Sequence, residues 1–294
     1  MRLPNHPYQG IGLTNFHLFT SDRSLGGNFP SNKLLVEAIP QSLQFPKNMY
    51  DPIKDGMEKC SGSVIYNEAK PPQELRDIVH SYWQLKTETP LEDDFTLHAI
   101  PDACINILFN QKDTDIAGIT GLKTTYAELN LGKNFDYAGI QFFPGVWQGN
   151  RNEIKDSFVG SKYLDQLPLI DVNIKTASLD FLDKLPIFTH LVSSLINQNI
   201  VEQNKVVQRI LSNLDRIHNV SEMAEISHHS TRQLQRILKQ ATDFSPHDFL
   251  KVMRLQQSLK ENNVDLYTDQ SHFIRSFKKI TGYTPTDYFR KYDV

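Results

Sequence analysis

The sequence predicts an α+β protein in which a β-rich region precedes an all-α C-terminal region. Three observations support this prediction: short β-branched and aromatic segments in the first half, amphipathic helical periods in the second half, and an internal repeat near the end. The chain has 294 residues, of which 39% are hydrophobic and 22% charged. This composition is typical of a globular protein with two domains and excludes a disordered or collagen-like chain.

The N-terminal part is dominated by proline and by short apolar runs. Residues 1–61 contain six prolines, which indicates loops and isolated strands. After Pro72 the apolar residues follow the spacing i, i+3, i+4 and i+7, and these residues are Leu75, Ile78, Val79 and Tyr82. This spacing predicts a helix that begins near Pro72.

Between Phe95 and Trp147 the pattern changes to that of strands. Five short segments are rich in β-branched or aromatic residues and are bounded by Gly, Asp, Asn or Pro. The segments are FTLHAI, CINILF, IAGITGL, YAELNL and YAGIQFF. They predict a small antiparallel sheet or barrel.

Helical periodicity resumes after residue 185. Two amphipathic segments carry apolar residues on one face, and these residues are Phe188, Leu191, Val192, Leu195 and Ile196, then Val207, Ile210, Leu211, Leu214 and Ile217. The predicted helices either pair two copies of the chain or pack on their own barrel, and the pattern alone does not decide between these arrangements. Beyond Asn219 the chain reads as helices with short breaks.

An internal repeat with a period of 39 residues occupies the C-terminal region. Ten positions match in type without a gap. Leu234, Arg236, Leu238, Lys239, Asp243, Phe244, Ser245, Pro246, Asp248 and Phe249 recur as Phe273, Arg275, Phe277, Lys278, Gly282, Tyr283, Thr284, Pro285, Asp287 and Tyr288. Each copy predicts a helix with an apolar stripe and a basic ridge, a turn with positive φ, and a Ser/Thr-Pro start of the next helix.

The residues before the first copy complete a helix-turn-helix pattern. Ser221 is the predicted N-cap of a short helix with Met223, Ala224 and Ile226, and Ser230 caps the next helix after a break at His228-His229. In such a unit the second helix enters the major groove of DNA. The predicted DNA contacts on this helix are Thr231, Arg232, Gln233, Gln235 and Arg236, with Lys239 on a phosphate.

At these residues the chain resembles the AraC/XylS family of bacterial transcription regulators. The segment DQSHFIRSFKKITGYTPTDYFR, residues 269–290, is similar to that family's C-terminal signature, and the first copy is a more divergent match. The resemblance implies two helix-turn-helix units joined by a linker helix. The implied contacts of the second unit are Gln270, Ser271, His272, Ile274 and Arg275, with Lys278 and Lys279 on phosphates.

The second unit departs from the family pattern. An offset of 39 from Met223, Ala224 and Ile226 falls on Asn262, Asn263 and Asp265, so the helix that supports the recognition helix has no counterpart. Either the linker helix through Leu259 also supports the second unit, or this unit fits imperfectly on DNA.

A weaker resemblance covers residues 62–170. The segments IPDACINILFN and YAGIQFFPGVW look like the sensor domain of an AraC-type subgroup, which is a cupin-like β-barrel preceded by a short helix, here HSYWQL. We therefore expect four parts: an N-terminal extension at 1–61, a cupin-like sensor domain at 62–170, a helical bridge or dimerisation region at 171–218, and an AraC-type DNA-binding domain at 219–294.

The sequence gives no sign of catalysis or of a cofactor. The five histidines before residue 215, which are His6, His17, His80, His98 and His190, are isolated. Cys60 and Cys104 lack the spacing of a zinc or redox site, and no nucleophile elbow or phosphate loop is present. We expect no metal, no cofactor and no enzyme activity. With neither a signal segment nor a membrane-spanning run in the sequence, we expect a cytoplasmic protein.

The expected partners are duplex DNA, a small-molecule effector, a second copy of the chain and RNA polymerase. Six residues are candidates for the effector pocket, and they are Trp83, His98, Cys104, Phe142, Phe143 and Trp147, although plain core packing explains them equally well. Alternatives are a regulator that acts through protein contacts because its second unit is impaired, and a cupin-type enzyme fused to a relic DNA-binding domain.

Net charge alone points away from nucleic acid, and the repeat reverses this interpretation. The whole chain has a formal charge of −3. Residues 215–294 contain 12 Lys or Arg and 10 Asp or Glu, so the C-terminal region is mildly basic and the remainder is acidic.

Overall fold

The computed structural model describes residues 50–58, 63–121, 123–155, 160–261 and 270–293. It confirms the α+β prediction, because nine strands precede residue 156 in this part of the chain and eight α-helices follow residue 168. The predicted boundaries of the four parts remain predictions. Most of the predicted extension, and Cys60, lie outside the described residues.

The main sheet has six strands in the order β2-β3-β8-β5-β6-β9. All neighbours are antiparallel except β6 and β9, which run parallel. The strands are β2 Val64–Ala69, β3 Val79–Thr87, β5 Ile105–Asn110, β6 Ala117–Gly121, β8 Asp136–Phe142 and β9 Ile154–Lys155.

Two smaller sheets complete the β region. The strand β4 Phe95–Ala99 pairs with β7 Ala127–Gly132, and β1 Met57–Glu58 pairs with β10 Tyr292–Asp293 at the other end of the chain. The five strands predicted between Phe95 and Trp147 are therefore all present, as β4 to β8.

The helix predicted after Pro72 is wrong. Only a 3-10 turn, Gln73–Leu75, forms there, and HSYWQL belongs to the strand β3. This strand is hydrogen-bonded on both sides, to β2 and β8, and most of its residues are buried. In a central strand apolar side chains occupy both faces, so their spacing does not distinguish a strand from a helix.

Two helices pack against the main sheet, α1 Leu169–Thr176 and α2 Phe181–Asn197, and a third helix, α3 Lys205–Leu211, contributes to the same apolar core. Phe188 of α2 stacks on Phe109 of β5 with ring centroids 5.3 Å apart and also contacts Tyr82 of β3. The predicted apolar faces of α2 and α3 are buried or half-buried in this core. Of the two arrangements left open by the sequence, the structure shows packing on the sheet, and pairing of two copies remains a prediction.

The C-terminal region consists of five helices. They are α4 Val220–Ile226, α5 Thr231–Thr242, α6 Pro246–Glu261, α7 Gln270–Thr281 and α8 Pro285–Lys291. The helix α6 belongs to two apolar cores: Phe249 and Val252 are buried with α4 and α5, whereas Leu255 and Leu259 are buried with α7 and α8. We call α4 and α5 the first unit, and α7 and α8 the second unit.

Candidate nucleic-acid interface and internal cavity

The sequence repeat is also a repeat of structure. The helices α5 and α7 have 12 residues each, and both their first and their last residues are 39 positions apart. The helices that follow, α6 and α8, also start 39 positions apart, at Pro246 and Pro285. The predicted positive-φ turn is present in both copies, with φ 63° at Asp243 and φ 81° at Gly282.

The two copies contain equivalent hydrogen bonds, formed by the same atoms of equivalent residues. Thr242 Oγ1 donates to the carbonyl of Leu238 over 2.8 Å, and Thr281 Oγ1 donates to Phe277 over 2.9 Å. The caps also correspond, because Ser245 Oγ and Thr284 Oγ1 each accept from the backbone N–H three residues later at 3.2 Å. A common local geometry therefore follows each of the two exposed basic helices.

In the first unit, α4 and α5 are joined by a tight turn. His228 has φ 58° there, which is the left-handed conformation that favours glycine. Met223 and Ala224 of α4 are buried in the same core as Leu234 and Leu238 of α5. A short helix, a turn and a second helix in this order form a helix-turn-helix.

The caps of the first unit agree with the prediction for α5 but not for α4. Ser230 caps α5 and forms a capping box with Gln233, as expected. The cap of α4 is Asn219 rather than Ser221, and its side chain accepts from Glu222 N over 2.9 Å. The Glu222 carboxylate in turn accepts hydrogen bonds from the backbone N–H of His218 and from the side-chain amide of Asn219. These bonds lower the pKa of Glu222.

All six residues predicted to contact DNA in the first unit are exposed on α5: Thr231, Arg232, Gln233, Gln235, Arg236 and Lys239. Arg232, Gln235 and Arg236 line one open groove with Lys239 and Gln240. The side-chain oxygen of Gln233 accepts a 2.9 Å hydrogen bond from Ser230 N, so this side chain already takes part in the N-cap. Lys239 forms an ion pair with Asp243 at 2.7 Å, so contact with a phosphate requires this pair to open.

The equivalent face of α7 is also exposed. Its exposed predicted residues are Ser271, Ile274, Arg275, Lys278 and Lys279. The backbones of Gln270 and His272 lie in α7, and their side chains are outside the described residues. The buried face of the same helix consists of Phe273, Phe277 and Ile280. The two helices thus present an arginine at the equivalent positions 236 and 275 and a lysine at 239 and 278. They differ at the equivalent positions Gln235 of α5 and Ile274 of α7.

A cavity of about 150 Å³ lies between the main sheet and the small β4–β7 sheet. Alternation along the strands produces it. Ile105, Ile107 and Phe109 of β5 face the helices, whereas Asn106 and Leu108 line the cavity. The indole ring of Trp83 lies against Gly139, and a Cβ added at Gly139 would lie 2.6 Å from this ring. A glycine at 139 therefore makes room for the tryptophan.

The cavity is apolar with several polar groups at one end. Asp55 Oδ1 accepts from Ile100 N over 2.9 Å, and burial raises the pKa of the Asp55 carboxyl to about 7. Burial also raises the pKa of Asp102, whose Oδ2 accepts from Gln141 Nε2 over 2.8 Å. Gln141 Oε1 lies 2.6 Å from His80 Nδ1. Apolar walls with a few convergent polar groups are typical of small-molecule sites.

The six predicted pocket residues are placed in different parts of the fold. Trp83 lines the cavity, and its Nε1 donates to Asn106 Oδ1 over 3.2 Å. Cys104, Phe142 and Trp147 are fully buried in the core beneath the helices. Phe143 lines a separate cleft beside α3, and His98 is buried among tyrosines next to the second unit. The assignment of these residues to an effector pocket remains a prediction.

Sequence reasoning missed most of the polar lining of the cavity, namely Asp55, Glu68, His80, Asp102, Asn106 and Gln141. These residues come from separate strands and loops, so no local motif unites them. One signal was available: Asn106 and Gln141 are amides within otherwise apolar strands, a position where a polar side chain needs a partner.

Searches for two further kinds of site gave negative results in the part of the chain that the structure describes. No helix there has the length and apolar character needed to cross a membrane. Among the same residues, no group of three or more His, Cys, Asp or Glu side chains is arranged to hold a metal ion.

Comparison with known proteins gives one family and one solved structure. The family described as "Domain of unknown function (DUF6597)" matches residues 67–150, which lie within the β region. No curated protein matches the chain. A crystal structure of an apo ToxT variant from Vibrio cholerae strain SCE256 is 12% identical, covers 77% of this chain and 96% of that chain, and has a TM-score of 0.38. A likeness this low supports no conclusion about function.

Proposed function

We propose that this chain is a sequence-specific, DNA-binding transcription regulator of the AraC type that acts in the cytoplasm. The supporting observation is the repeat of α5 and α7, which share their length, their turn, their caps and an exposed basic face. In the proposed mechanism Arg232, Gln235 and Arg236 contact bases in one major-groove segment, and His272, Ile274 and Arg275 contact bases in the next. Lys239, Lys278 and Lys279 bind phosphates.

The first prediction tests base recognition by α5. Arg236→Ala should weaken binding to the preferred duplex by about 1 to 3 kcal/mol and relax its sequence preference, because arginine binds guanine in a bidentate manner. The preferred duplex is first selected from a random library, and affinity is then measured by gel-shift titration. Lys112→Ala removes one positive charge from the β region and serves as the control. Equal affinities for Arg236→Ala and Lys112→Ala would contradict the proposal.

Wild-type binding also distinguishes the proposal from its main alternative. In the alternative the second unit is impaired and the regulator acts through protein contacts. The described residues before α7 contain no counterpart to α4, which favours this alternative. Binding by both units should release counterions from several phosphates and give a steep decrease of affinity with salt. A salt slope near zero would support the alternative.

We further propose that the cavity between the sheets binds a small-molecule effector, and that the chain itself is not an enzyme. A second copy of the chain and RNA polymerase are the proposed protein partners. Because Trp83 lines the cavity and Trp147 lies in the core, effectors found by a thermal-shift screen should change the fluorescence of a Trp147→Phe variant. An effector that binds without any change in this signal would place its site elsewhere.

A further inference from the structure

Among the described residues, the second unit has no helix that corresponds to α4 of the first unit. In the first unit, Leu234 and Leu238 of α5 are buried with Met223 and Ala224 of α4. Within the described residues no helix takes the corresponding place before α7, because α6 continues to Glu261 and the next described residue is Gln270. Phe273 and Phe277 of α7 are nevertheless buried.

Residues of the β region help to bury α7 and α8. One apolar cluster contains Phe273, Phe277 and Tyr288 of the second unit together with Ile100, and half-buried Ile53 packs against it. The end of α6 also belongs to this cluster through Leu255 and Leu259. The linker helix therefore supplies part of the support, and two segments of the β region supply another part.

Backbone hydrogen bonds connect the same parts of the molecule. The N–H of Tyr126, just before β7, donates to the carbonyl of Ile280 in α7 over 2.8 Å. At the end of the second unit, β10 pairs with β1 in the register Met57 with Asp293 and Glu58 with Tyr292. These bonds fix both the end of α7 and the residues after α8 on the β region.

Four tyrosines close around His98 of β4, and we call them the tyrosine cluster. The imidazole of His98 is fully buried between the rings of Tyr126 and Tyr292, with centroid distances of 4.9 and 4.8 Å. Tyr283 and Tyr288 contact it edge-on at 5.4 and 5.5 Å. Tyr126 precedes β7, Tyr283 lies in the turn after α7, Tyr288 lies in α8, and Tyr292 lies in β10 directly after α8, so the imidazole fills the interface between the strands around His98 and the C-terminal helices.

The fit at this interface is close. Gly282 faces the ring of Tyr126, and an added Cβ would lie 2.8 Å from its atoms. Gly56 faces Tyr288 in the same way, with an added Cβ at 2.7 Å from the hydroxyl. Distances below 3 Å leave no room for a side chain on either glycine.

From this geometry we infer that the β region provides the support for which the described residues contain no equivalent of α4, so that α7 and α8 keep their positions only while they are packed on Ile53, His98, Ile100 and Tyr126. The first unit has α4 beside α5, and it also contacts α3 and accepts a hydrogen bond from Arg151 at the carbonyl of Gln240, so its support does not involve the residues around Tyr126. The inference takes α7 to be a recognition helix, as proposed above. It predicts that the two units differ in their dependence on the β region.

Amide hydrogen exchange of the full chain, without DNA, tests this inference. In Tyr126→Ala, peptides from α7 and α8 should exchange at least about tenfold faster than in the wild type, whereas peptides from α4, α5, β5 and β8 should be unchanged. Tyr163→Ala is the control. Tyr163 is a half-buried tyrosine between β9 and α1, and it packs against the core of the main sheet rather than against the second unit. This variant should leave α7 and α8 protected.

A second variant keeps the test decisive if Tyr126→Ala does not fold. Tyr292→Ala removes the opposite side of the tyrosine cluster and lies outside the main sheet, and it should give the same pattern. Unchanged protection of α7 and α8, or equal acceleration in α5 and α7, would overturn the inference. The measurement involves no DNA, so its result is independent of whether the proposed DNA binding is correct.

Discussion

His98 is the residue whose environment depends most on the contact between the β region and the second unit. Its pKa is lowered, first because burial disfavours the charged imidazolium and also because of Lys291, while Glu128 acts in the opposite direction. An unfolded histidine takes up its proton near pH 6.5, and the folded chain does so only at lower pH. The contribution of His98 to the free energy of unfolding is therefore fully present at neutral pH and decreases as the pH falls below about 6.5.

The His98→Phe variant tests this residue. Phenylalanine keeps an aromatic ring between Tyr126 and Tyr292 and cannot titrate, so the decrease in thermal stability between pH 7.5 and pH 5.5 should be smaller than in the wild type. Unfolding curves of both proteins at each pH provide the measurement. A pH dependence that is identical in the two proteins would show that His98 does not titrate in the way described.

Asp55 is half-buried at the edge of the cavity, and the partial burial of its carboxyl group raises its pKa to about 7. The unfolded chain loses this proton near pH 4, so the folded state loses stability as the pH rises from about 4 to 7. Asp55→Asn keeps an acceptor for Ile100 N and removes the charge. At pH 7.5 it should therefore be more stable than the wild type by about 1 to 3 kcal/mol in urea unfolding. Asp93→Asn, in an exposed loop, should have no effect, and a destabilised Asp55→Asn would refute this account.

At the scale of elements, the turns after α5 and α7 allow a matched comparison. Asp243 and Gly282 have the same backbone role, and Asp243 also forms an ion pair with Lys239. Asp243→Gly should be neutral or stabilising by up to about 1 kcal/mol because glycine tolerates the left-handed conformation. It should also tighten DNA binding, since Lys239 loses its ion pair and keeps only the 2.9 Å hydrogen bond to the backbone carbonyl of residue 243.

The corresponding change in the second unit should have the opposite sign. Gly282→Ala introduces a Cβ at positive φ and places it against the Tyr126 ring, so it should lower the melting temperature by more than backbone strain alone. Thermal unfolding of the two variants gives the comparison. If Gly282→Ala were as stable as the wild type, the close contact with Tyr126 would not constrain the fold.

Local signals explain which elements the sequence predicts well. The turns at Asp243 and Gly282 and the caps at Ser230, Ser245 and Thr284 depend on residues a few positions apart, and all were predicted correctly. The helix predicted at Leu75 to Tyr82 is wrong because pairing with β2 and β8, which are distant in sequence, decides the structure there. The lining of the cavity and the packing of α7 on Ile100 also depend on distant contacts, which periodicity does not record.

At the scale of the whole molecule, the proposed DNA binding and the inferred packing of the second unit on the β region together give a prediction. If the inference is correct, Tyr126→Ala should shorten a hydroxyl-radical footprint from two adjacent major-groove segments to one, because only α5 would remain in position. Tyr163→Ala should give the footprint of the wild-type protein. A footprint of full length in Tyr126→Ala, despite loss of exchange protection in α7, would show that DNA itself can order the second unit.

Because α6 belongs to both apolar cores, it fixes the angular relation of α5 and α7. Each residue of an α-helix contributes a rotation of about 100° and a rise of about 1.5 Å. One residue inserted between Val252 and Leu255 would turn the second core about a quarter of a revolution away from the first and away from the β region. Four inserted residues would nearly restore the direction but add about 6 Å of length. The number of residues in α6 is therefore as constrained as their chemical identity.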